Sequence, residues 1–261
     1  MTYNGAIVDL DGTVYRGDTA IPGARDGIEC LREQGLDLLF CSNNSTRSPE
    51  AYVDHLRDFG IEATVDTICS AGMVTLDYLR EHHSTDRVFL VGSRGLREQL
   101  RDADIELTDS PAETDVLVAS WTDGFDYGDM TDALHAVDEE TAFLGTNRDR
   151  TLPQADGSVL PGSGSIIFAL AATVGREPDA LLGKPSERMA EAALDRLGIP
   201  AEECLLVGDR LDTDLAMGAR TGMTTVLVLS GISDREDIGE HDVDPDYVIE
   251  NLGAIGDVLS G

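Results

Sequence analysis

Lysine is almost missing from this chain. Of 19 basic residues only Lys184 is a lysine, and the other 18 are arginines facing 50 acidic residues, for a formal net charge of −31. So strong a negative balance excludes nonspecific binding to nucleic acid polymers or anionic lipid, both of which need basic patches. Aromatics make up 5% of the chain. The four cysteines, Cys30, Cys41, Cys69 and Cys204, form no C-x-x-C pair and each lies in an apolar run, which predicts buried free thiols rather than a metal knuckle or a disulfide frame. His82 and His83 stand in a charged stretch and read as a solvated turn. No apolar run approaches the ~18 residues of a membrane span, and no basic-apolar leader opens the chain, so a soluble, cytoplasmic protein without a membrane partner is expected.

What is present is enough to fold. The 261 residues suit one or two domains, and a hydrophobic content of 41% excludes disorder driven by acidity alone. The acidic residues are spread rather than blocked, as at Asp102, Asp104, Glu106 and Asp109. Such a surface repels itself in dilute salt, but at ~1 M salt the Debye length falls to ~3 Å and the repulsion is screened. With so few lysines, this points to a protein from a high-salt cytoplasm.

The hydrophobic pattern alternates between strand and helix. "GAIVDLD" (5–11) and "LDLLFCS" (36–42) read as buried strands, and 22–35 and 48–60 as helices opened by Pro or Ser and closed by Gly. The alternation resumes with a helix over 187–198, a strand over 203–209, a helix over 212–222, a strand over 224–230, and a short strand and helix over 246–255. It predicts an α/β fold, a Rossmann-like parallel sheet covered by helices. Between the two halves, 87–93, 115–120 and 141–147 are further strand candidates. They predict an inserted α/β domain over 82–180 and a core of 1–81 and 181–261.

In open α/β sheets ligands bind beyond the carboxyl ends of the strands, and polar residues collect at these ends. Asp9 and Asp11, two apart in extended backbone, point the same way. Adjacent carboxylates resist joint ionisation without a cation, and Asp209 and Asp214 would add to the charge. A hard divalent cation, Mg2+, which takes oxygen ligands and substrate phosphate together, answers that problem. Ser42 and Asn43 of "SNNS" (42–45) can donate to phosphate oxygens, and Lys184 of "GKP" supplies a compact positive charge. "FLVGSRG" (89–95) lacks the glycines of a dinucleotide fingerprint.

The string "DLDGT" (9–13), "SNNS", Lys184 in "GKP" and "GDRLDTD" (208–214), in this order, resembles the four motifs of the haloacid dehalogenase superfamily over essentially the whole chain. The position of the insertion, with "GTNRDRTLP" (145–153) and "PGSGSI" (161–166), is similar to the branch of 4-nitrophenylphosphatases and nucleotide phosphatases with a large α/β cap. The resemblance implies a Mg2+-dependent phosphatase of small phosphorylated metabolites. Asp9 would be the nucleophile that forms an aspartyl-phosphate, and Asp11 the acid and base. Asp9, Asp209 and the backbone carbonyl of Asp11 would hold the metal, with Ser42, Asn43 and Lys184 on the phosphoryl oxygens. Asp214 would orient Lys184 or a metal-bound water, and Asn147, Arg148 and Asp149 of the cap would choose the leaving group. Dehalogenation is the rival within the fold, and Asp11 speaks against it. A binding protein that has kept the fold without catalysis is the rival outside it, and the four intact motifs speak against that. The substrate among small phosphomonoesters and the oligomeric state, a homodimer through cap surfaces included, are open at this level.

Overall fold

The computed structural model describes residues 3–154 and 158–260. The ends of the expected core ranges (1, 2 and 261) and 155–157 of the expected cap lie outside the described residues. In chain order the first elements are β1 (Gly5–Asp9), a small hairpin β2 (Tyr15–Arg16) and β3 (Thr19–Ala20), α1 (Ala24–Glu33), β4 (Asp37–Ser42), α2 (Pro49–Asp58), β5 (Ile68–Ser70) and α3 (Ala71–His82). There follow β6 (Val88–Val91), α4 (Arg94–Asp102), β7 (Leu107–Thr108), β8 (Val116–Ala119), α5 (Tyr127–Ala136), β9 (Ala142–Gly145), the hairpin β10 (Thr151–Pro153) and β11 (Val159–Pro161), α6 (Ser163–Val174) and β12 (Ala180–Leu181). The chain then returns through α7 (Glu187–Leu197), β13 (Cys204–Gly208), α8 (Ala216–Thr221), β14 (Thr224–Val228), β15 (Tyr247–Ile249) and α9 (Ile255–Leu259).

Two parallel sheets result. The core sheet has the order β15-β14-β13-β1-β4-β5, and the second has β12-β9-β8-β6-β7. Both are covered on both faces, so their strands are unbroken apolar runs rather than alternating ones. Ala6 and Val8 of β1 join one apolar cluster while Ile7 joins the other. In the second sheet Phe89 and Val91 face one way and Val88 and Leu90 the other. This is the Rossmann-like core with an α/β cap that the motif order implied.

The sequence reading of 212–222 as one helix needs correction. Leu211–Leu215 forms a wider π-turn, and only Ala216–Thr221 is α-helical. The π-turn folds Asp214 back so that its Oδ2 accepts the Arg210 N–H at 3.1 Å. α3 and β5 had no counterpart in that reading. Ser70 caps α3 by accepting the Met73 N–H. Among the described residues no helix is long and apolar enough to cross a membrane.

Candidate active site

β1 is central, and the chain leaves it toward β4 on one side and β13 on the other. The crevice at this switch point receives the carboxyl end of each strand. Asp9 ends β1, Ser42 ends β4, and Asp209 directly follows β13. The loop between β12 and α7 brings in Lys184.

Lys184 is 2% exposed, and all three directions of its ammonium are used. Nζ lies 2.5 Å from Asp9 Oδ1, 2.6 Å from Asp214 Oδ1 and 3.1 Å from the Cys41 carbonyl. Burial alone would lower its pKa, but Asp214 and Asp9 outweigh burial and hold it well above the ordinary lysine value. The carboxylates are raised as well, with burial as the first cause. Burial and the charge of Asp214 raise Asp9 well above the usual range against the pull of Lys184. Asp209 is pushed up to about 8 by burial and then by Asp214. Burial also raises Asp11, whose Oδ2 accepts from Ser42 Oγ at 3.4 Å, with Arg47 and Lys184 opposing.

One carboxylate oxygen from each of Asp9, Asp209 and Asp214 lies within 4.8 Å of the others, all buried. Asp209 Oδ2 accepts the Ile232 N–H at 2.7 Å, while Oδ1 is buried with no hydrogen-bond partner. An orphaned anionic oxygen beside two further carboxylates, with one ammonium among them, fits a divalent cation, since burying unbalanced like charge is costly. The backbone is shaped around Asp209. Gly12 has φ +96°, and a Cβ there would stand 2.3 Å from Asp209 Oδ2, while a Cβ on Gly231 would stand at 1.8 Å.

These groups line a cavity of about 150 Å3 together with Asn147 and Asp149 of the cap. Cap and core are bonded across it. Asn147 Nδ2 donates to the Asn43 carbonyl at 2.7 Å and to Ser163 Oγ at 3.0 Å. The Asn43 side chain is itself engaged. Its Oδ1 accepts the Lys184 N–H at 2.7 Å, and its Nδ2 donates to Asp149 Oδ1 at 3.0 Å and to the Lys184 carbonyl at 3.2 Å. Asn43 thus fixes the lysine loop and the cap loop, and its amide is not free for a phosphate. Arg148, expected beside the leaving group, is exposed and absent from the cavity wall. Its flanking residues turn inward, and its carbonyl is packed where a Cβ on Gly164 would stand 2.3 Å away.

Several lining residues escaped the sequence reading, Arg210, Thr213 and Trp121 among them. Arg210 forks onto Asp212 with two bonds of 3.1 Å and stands 4.0 Å from Asp149. Its place beside Asp209 was the available signal. Thr213 lies inside a quoted motif. Trp121 follows β8 at the strand-end mouth of the cap sheet, and no pattern singled it out.

A family model described as haloacid dehalogenase-like hydrolase matches residues 6–106, and a HAD-hydrolase-like model matches 181–255. The sugar-phosphatase AraL of Bacillus subtilis is 36% identical over 95% of this chain and 90% of its own. The acid sugar phosphatase of Staphylococcus epidermidis is 32% identical over 96% and 95%. The structure of a p-nitrophenyl phosphatase from Archaeoglobus fulgidus superposes with a TM-score of 0.90 at 38% identity, covering 99% of this chain and all of that one. The chain therefore belongs to the haloacid dehalogenase-like hydrolases, in the cap-bearing branch that includes the 4-nitrophenylphosphatases.

Proposed function

We propose that the protein is a Mg2+-dependent phosphatase of small phosphorylated metabolites, sugar phosphates first among them. The observation that carries this reading is the buried trio of Asp9, Asp209 and Asp214 around one ammonium, in a cavity with Asp11 on its wall. The names of the sugar-phosphatase relatives support the substrate class.

In this reading an Asp9 carboxylate oxygen attacks phosphorus as the ester P–O bond breaks, and Asp11 gives its proton to the departing alkoxide. The upward shift of Asp11 suits a carboxyl that must carry a proton. Water then attacks the aspartyl-phosphate, Asp11 takes its proton, and phosphate leaves with Asp9 restored. Asp9, Asp209, the carbonyl of Asp11 and, by its nearness to the other two, Asp214 would hold Mg2+. When bound, the ion would neutralise charge that develops on the phosphoryl oxygens. Ser42, Lys184 and the backbone N–H of Asn43 would meet those oxygens. Asp149 of the cap would face the leaving group in place of Arg148.

The division into a core of 1–81 and 181–261 and a cap of 82–180 belongs to the same proposal. β12, which pairs Leu181 with Gly145 of the cap sheet, lies at the second junction of this proposed division. Work in concentrated salt is part of the proposal too.

Phosphate release from a panel of sugar phosphates tests the reading, measured in ~1 M potassium chloride, where the acidic surface is screened. Release should fall by at least about 100-fold, some 2.7 kcal/mol, when EDTA removes divalent ions, and return with Mg2+. Undiminished release in EDTA, or halide release from 2-haloacids in place of phosphate release, would overturn it.

A further inference from the structure

The chain has a single tryptophan, and it stands on the wall of the catalytic cavity. Trp121 is half-buried, backed by the apolar cluster of the cap around Phe89 and Phe143. Its position is fixed from the preceding residue. Ser120 is wholly buried, and its Oγ lies 2.7 Å from Ser45 Oγ of the core and 2.9 Å from Thr146 Oγ1 of the cap. A large ring on so well tied a backbone loses little freedom when a ligand packs on it. Leu152 and Pro153 of β10 share the same wall. The cavity thus has a charged part, with Asp9 and Lys184, and a wall that is aromatic and aliphatic, with the Asp149 carboxylate also on its lining.

That pairing is selective. The face of an indole is electron-rich and favours the weakly positive C–H edges of a ring. A carboxylate accepts from hydroxyls. A ring with C–H groups on one face and hydroxyls at its rim satisfies both, whereas a plain alkyl group uses only the first.

We propose that Trp121 is the specificity-determining residue of this hydrolase, a platform on which the ring of a phosphorylated sugar lies while its phosphoryl group meets Asp9 and Lys184. The proposal rests on the phosphatase reading for its kinetic arm alone. Trp121→Ala should lower kcat/KM by about tenfold or more on hexose and pentose phosphates, and by less than about twofold on ethyl phosphate, whose leaving group has no ring to lie on the indole. Trp121→Phe, which keeps a ring, should recover most of the loss. Equal losses on every substrate, or no loss on the sugar phosphates, would overturn the assignment.

The second arm needs no turnover. Trp121 is the only indole, so its emission reports its own surroundings. In the Asp9→Asn protein with Mg2+, a hexose phosphate should shift or quench that emission saturably, and inorganic phosphate at saturating concentration should leave it nearly unchanged. Equal responses to the two, or none to the sugar phosphate, would show that the indole does not touch the leaving group. Failure to release phosphate from any monoester, with the emission still responding to sugar phosphate alone, would sink the phosphatase reading and leave the platform standing.

Discussion

Asp9→Asn should abolish phosphate release, by more than about a thousandfold, at least 4 kcal/mol of transition-state stabilisation, and leave the protein folded. An amide oxygen is a poor nucleophile toward phosphorus. The fold should tolerate the change because Lys184 keeps Asp214 at 2.6 Å and the Cys41 carbonyl at 3.1 Å. The substitution also removes one negative charge from a buried group in which Asp9 and Asp209 both have raised pKa values. Without Mg2+ the variant should therefore melt no lower than the parent by calorimetry. Activity within tenfold of the parent would remove Asp9 from the role of nucleophile.

Lys184→Arg is the second large effect. This chain uses arginine for every other fixed positive charge, so if charge alone mattered, arginine would serve here too. Geometry says otherwise. The ammonium has three donors and three acceptors, from Asp9, Asp214 and Cys41. The residue is buried, and its own backbone is tied at both polar groups to Asn43. A guanidinium is planar and larger, carries five N–H groups, and cannot put a point charge between two carboxylates. The variant should lose at least ~2 kcal/mol, about thirtyfold in rate, with its circular dichroism unchanged in the same salt. Low salt could unfold it through the charge of −31 and imitate a catalytic defect. A folded Lys184→Arg protein with near-parental turnover would make the lone lysine an accident of composition.

Lys184 also marks the boundary of what could be read from the sequence. Strand ends are legible because buried parallel strands are continuous apolar runs, and the polar residue that stops such a run faces the crevice. Asp9, Ser42 and Asp209 were found in that way and Lys184 as the only lysine of the chain, and the structure brings all four to one cavity. Long-range pairing was not legible. Nothing in "TNRD" says that Asn147 and Asp149 turn inward while Arg148 points to solvent, because an irregular loop has no period from which to read facing. The engagement of Asn43 was hidden for the same reason, since its partners are about a hundred and more residues away, at 147, 149 and 184. The π-turn at Leu211–Leu215 was hidden by a helical pattern that Asp214 interrupts only through its own hydrogen bond to Arg210.

The central claim is that phosphoryl transfer passes through a covalent bond to Asp9. Its most direct test is an acid quench of the Asp11→Asn protein during turnover of a ³²P-labelled substrate with a good leaving group, in Mg2+ and concentrated salt, followed by peptide mapping. Lacking the base that activates water, this variant should accumulate a phosphoenzyme whose label sits on the peptide containing Asp9, stable to acid and released by hydroxylamine as an acyl phosphate. Turnover with no trapped label, or label on a peptide that does not contain Asp9, would contradict it.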